Sequence, residues 1–87
     1  MIVQLDPIPF ATLEDLHRHS PRVAARIEEC LDWLETNPVD ARARRRQFTN
    51  GMRAISPVID GDEWLILWEE DPPNTAVVRF IGQSDSI

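Results

Sequence analysis

From residue 42 onward the chain carries six arginines that are suited to holding a phosphate. Arg42, Arg44, Arg45 and Arg46 fall within one short run, and Arg53 and Arg79 follow. A guanidinium offers planar, fixed donors to an oxyanion and keeps its charge at any physiological pH. Two such groups can clamp a phosphate and stabilise charge that builds on it, but neither can act as a base. Cleavage of RNA by its own 2′-hydroxyl also needs an aligned attacking oxygen and, usually, groups that move protons. Glu63 and Glu69 are the nearby carboxylates, set among Asp60, Asp62, Glu70 and Asp71. In so acidic a stretch, solvated surface is the plainer reading of both.

Other catalytic chemistry has little to work with. Cys30 sits in a helical pattern with no readable partner base, so it reads as a small buried hydrophobe. His17 and His19 flank Arg18 in the first helix, and with one distant cysteine they do not make a four-ligand zinc arrangement. The 3 glycines are scattered, which leaves no phosphate-cradling loop. No metal and no cofactor are expected.

At 87 residues the chain is one domain with a modest core, to which 3 tryptophans and 3 phenylalanines contribute large rings. The formal charge of −6 makes overall repulsion of nucleic acid the default, against which the arginine run is a local exception. A single cysteine suits a reducing compartment. The opening residues lack a basic, then apolar, leader pattern, and no apolar run is long enough to span a bilayer. A cytoplasmic location is the expectation.

The elements that must position the arginines follow from spacing. Ile2–Leu5 reads as a short strand, ended by Asp6-Pro7-Ile8-Pro9. Thr12 reads as the N-cap of a first helix that runs to His19, with Phe10, Leu13 and Leu16 on its apolar side. Ser20-Pro21 restarts the chain into a second helix to Thr36, whose stripe is Val23, Ile27, Cys30 and Leu34. Asn37-Pro38 stops it. Residues 40–47 read as a short helical turn or a basic loop. Residues 52–59 then form a strand that Pro57 confines to an edge or a bulge. Asp60-Gly61 is hairpin chemistry leading into Trp64-Leu65-Ile66-Leu67-Trp68, a central strand with the tryptophans and Ile66 on one face. The last strand covers residues 75–81, with Val77, Arg79 and Ile81 alternating against Ala76, Val78 and Phe80; residues from Gly82 fray. The expected fold is α+β, in the order β-α-α-β-β-β, with a helical hairpin packed on a small antiparallel sheet.

From the first strand to Gly82, this layout resembles the RelE/ParE superfamily, the toxin components of bacterial type II toxin–antitoxin systems. The resemblance rests on the short first strand, the helix pair ending at Asn37-Pro38, the basic segment Arg42 to Arg46, and the closing Val77-Val78-Arg79-Phe80-Ile81-Gly82. Trp64-Leu65-Ile66-Leu67-Trp68 looks like the family's middle strand, although Leu65 stands where an arginine often follows the opening aromatic. Gln83, Ser84 and Asp85 occupy the C-terminal stretch where the family often places histidine, lysine, arginine or tyrosine.

The resemblance implies a toxin-like component, neutralised by a small cognate antitoxin and acting on translation or on DNA gyrase. Two alternatives stand beside it. One is a ribosome-dependent mRNA endonuclease, in which Arg53 and Arg79 are the catalytic pair and Arg42, Arg44, Arg45 and Arg46 bind RNA or another target. The other is a non-toxic interaction protein that keeps the fold.

Overall fold

In the computed structural model, which describes residues 1–43 and 51–86, the first proline pair starts a helix instead of breaking the chain. β1 (Ile2–Leu5) passes through Asp6 directly into α1 (Pro7–His19). The first backbone N–H groups of a helix have no intrahelical acceptor, so Pro7 and Pro9 lose nothing there. The first helical bond runs from Phe10 N–H to the Asp6 carbonyl. Thr12 is therefore not a cap. It lies inside α1, where its hydroxyl donates to the Ile8 carbonyl. The early start also turns Phe10 outward, while Leu13 is buried.

α2 (Pro21–Thr36) has the expected bounds, but its buried face is turned slightly. Ala24, Ile27, Leu31 and Leu34 are buried, and Val23 and Cys30 only border the core. His17 Nε2 lies 2.6 Å from Glu28 Oε1, tying α1 to α2. Asn37 ends α2 through its N–H to the Trp33 carbonyl, and Pro38 opens α3 (Pro38–Ala43), so the expected stop is also a restart. Ala41 joins the core.

Pro57 divides the next strand into β2 (Arg53–Ile55) and β3 (Val58–Ile59), both paired antiparallel to β4 (Asp62–Asp71). Asp60 and Gly61, both at positive φ, form the two-residue turn between β3 and β4. Their left-handed backbone matches the twist of a tight hairpin. β5 (Thr75–Gln83) extends past the expected end, and a 3-10 turn at Ser84–Ser86 follows it. The sheet order is β1-β5-β4-β2. β1 pairs parallel to β5, so the sheet is mixed and the all-antiparallel expectation is corrected. The physical reason is that the helices between β1 and the meander form a long crossover, which can return the chain in the same direction.

β4 is an interior strand flanked by β5 and β2. Ile66 and Trp68 are 0% and 1% exposed and share one core with Ile27, Leu31 and Leu34 of α2 and Leu13 of α1; Trp64 packs against it. On the other face, Leu65 is buried and Leu67 half-buried. There the Phe80 ring lies over Gly82, the residue opposite Leu65; a Cβ on Gly82 would stand 2.5 Å from Phe80 Cζ. The absent side chain leaves room for the tip of that ring.

Because the helices cover only one face, truncating the two central residues should cost unequal amounts. Ile66→Ala is expected to destabilise by about 2–5 kcal/mol, and Leu67→Ala by clearly less. Urea denaturation measures both, and equal losses would contradict the face assignment.

Candidate functional site

The register of β5 against β4 slips at Arg79. Leu67 pairs with Phe80 and Trp68 with Val78, which leaves Arg79 as an extra residue without a cross-strand partner. This bulge resets the alternation. Ile81 joins Ala76 and Val78 in the helix-side core, whereas the expected alternation grouped it with Val77 and Arg79. Arg79 goes elsewhere. Its Nε donates to Glu69 Oε1 at 2.8 Å, and its Nη1 reaches both oxygens of Asp6 at 3.0 and 2.9 Å. Glu69 lies between the helix-facing Trp68 and Glu70, so this pairing holds the guanidinium on the face away from the helices. One side chain thus ties β5 to β4 and to the end of β1. Its hydrogen bonds to Asp6, then those to Glu69, push the Arg79 pKa further up.

Arg53 stands on the opposite face. It is directly across from Trp68 in the ladder, and its Cζ lies 5.6 Å from the centre of the Trp68 ring. The indole face attracts the cation. One nitrogen, Nη1, is buried with no hydrogen-bond partner. A buried donor left unmet is costly, by about 1–3 kcal/mol for an ordinary polar group. The two arginines expected to clamp one phosphate are therefore not brought together.

Arg42, from α3, grips the end of β4. Its Nε and Nη2 each donate to a different oxygen of Glu70 at 2.8 Å, a two-pronged pairing that guanidinium geometry favours. Those bonds hold the Glu70 carboxyl below the usual carboxylate range, outweighing the opposing effect of burial, and the Arg53 charge adds to them. Arg42 itself is raised for the same reason. Arg44, Arg45 and Arg46 lie outside the described residues.

Two hollows open on the described surface. An open groove of about 240 Å³ lies between α2 and β2, lined by Arg26, Glu29, Cys30, Trp33 and Ile55. It had no sequence signal, because Trp33 and Ile55 meet only in the folded chain. A smaller hollow of about 130 Å³ at the β3–β4 turn is acidic, with Asp62, Glu63 and Asp85 in its wall. Among the described residues no group of three or more histidines, cysteines or carboxylates is gathered to hold a metal. No helix among them is long and apolar enough to cross a membrane.

No family model, curated protein or solved structure matches this chain. Its geometry is that of a small α+β domain, with helices on one face of a mixed sheet. Three of the arginines singled out by type are placed by the fold, and two of these are neutralised by carboxylates.

The Glu70 carboxyl carries a pH dependence whose sign is fixed by its depressed pKa. As pH falls, the unfolded chain binds the proton first, so the stabilisation is full above the ordinary carboxylate value and disappears as pH drops through the folded one. Glu70→Gln should therefore be less stable than the parent at neutral pH, and the gap should close in acid. Urea midpoints measured across that range test this; a gap independent of pH would contradict it.

Proposed function

We propose that this chain is a toxin-like component of a type II toxin–antitoxin pair that acts by binding protein partners and does not cleave RNA. The order of elements supports the kinship: a short first strand, a helical hairpin, and then a meander carrying Arg53 and Arg79. The observation that supports binding over cleavage is the separation of those arginines. Arg79 is engaged by Asp6 and Glu69 on one face of the sheet, and Arg53 is stacked on Trp68 at the other. Arg53 and Arg79 do not converge on one phosphate, and at Arg79 an incoming phosphate must displace two carboxylates. In-line attack by a 2′-hydroxyl needs its donors converged on one phosphate.

A binding role makes better use of the surface. The open groove beside β2 offers Trp33 and Ile55 as apolar anchors, with Arg26 and Glu29 at its rim. Such sites, with a few polar groups around an apolar floor, suit the side chains of a partner segment. The partner expected is a small antitoxin encoded beside the chain. The target is the translation apparatus or DNA gyrase.

Expression in bacteria, with and without the product of the adjacent reading frame, tests this reading. The expected result is growth arrest with uncut mRNA, relieved by a neighbour that co-purifies with the chain. Ribosome-dependent mRNA cleavage, lost in both Arg53→Ala and Arg79→Ala with folding retained, would overturn it in favour of the endonuclease. Neither arrest nor a bound neighbour would leave the non-toxic interaction protein.

A further inference from the structure

Glu70 has two guanidiniums within its neighbourhood and serves only one. Arg42 occupies both of its carboxylate oxygens. Arg53 lies opposite Trp68, and Glu70 is two residues further along β4. Residues i and j±2 on one face of adjacent strands are diagonal neighbours, within reach of long side chains. Arg53 is moreover the group with an unmet buried donor at Nη1. The Arg53 charge already acts on the Glu70 carboxyl, which makes Glu70 the candidate acceptor for that donor.

The same carboxylate is one of the links between α3 and the rest of the fold. Others are Ala41, 1% exposed in the core, and the contact of Arg42 Nη2 with Met1 Sδ at 3.9 Å. α3 is only six residues long, and a helix that short has little stability of its own. Its docking depends on what it touches.

We propose that Glu70 is an exchangeable latch: transfer of its carboxylate from Arg42 to Arg53 releases α3 from the sheet while satisfying the buried Arg53 donor. The two states differ by one ion pair exchanged for another, so the energetic gap between them is smaller than that for breaking a pair outright. Arg53 thus acts as the competing partner that makes α3 releasable. This inference stands apart from the toxin reading, since it concerns only Arg42, Arg53 and Glu70.

Amide hydrogen exchange at Ala41 and Arg42, referenced to amides of β4, tests the proposal. Arg53→Met keeps the aliphatic stem against Trp68 but removes the competing charge; exchange in α3 should slow several-fold relative to β4. Arg42→Met and Glu70→Gln should each speed it. A second reading comes from denaturation: Arg42→Met together with Arg53→Met should cost more than the sum of the single changes, because each arginine backs up the other. Unchanged or faster exchange in Arg53→Met, or simple additivity in the double variant, would overturn the latch.

Discussion

A single unpaired residue in β5 determines what this sheet can do. Were the ladder unbroken from Leu67–Phe80 onward, Trp68 would face Arg79, and Arg53, Trp68 and Arg79 would stand in one row across the helix-side face. The two guanidiniums would then sit about two strand spacings apart, ~10 Å, on either side of an indole. The bulge sends Val78 to Trp68 instead. It buries an apolar side chain where an arginine would have needed a partner, and it directs Arg79 to Glu69 and Asp6. The core gains continuity from Ala76 through Val78 to Ile81, and Arg53 and Arg79 stand on opposite faces of the sheet.

Charge placement follows the same logic. An arginine near a core must be paired or keep its head in water. Arg79 is paired with two carboxylates, and Arg42 is paired on both prongs with one. Arg53 alone is held mainly by a ring, and it is the one with a donor unmet. The three described among these arginines thus divide into two structural ties between strands or layers and one neighbour of Trp68 with a donor unmet. In an acidic chain whose described cations are largely matched, these pairings support the proposed protein-binding role over one that grips a polyanion.

Much of the fold was legible in the residues because local signals agreed with tertiary packing. Ser20-Pro21, Asn37-Pro38 and Asp60-Gly61 each mark a boundary that the structure keeps, and residues 64–68 do form an interior strand. The failures share a cause. Pro7 and Pro9 break a strand and begin a helix equally well, and only the downstream chain decides which. Alternation along 75–81 assumes an unbroken ladder, and no residue type announces a bulge at Arg79. The parallel return of β1 to β5 is a property of the whole path, not of any segment. The candidate site suffered most, since face assignment depends on that one register slip, and the pairing of Arg42 with Glu70 spans 28 positions.

The position of that slip sets the faces of both arginines, and proton NMR can read it directly. Cross-strand nuclear Overhauser contacts between Leu67 and Phe80, and between Trp68 and Val78, are the predicted pattern, with the Arg79 side chain close to Glu69 and Asp6. Contacts pairing Trp68 with Arg79 would mean an unbroken ladder, both arginines on one face, and a sheet able to hold a phosphate after all.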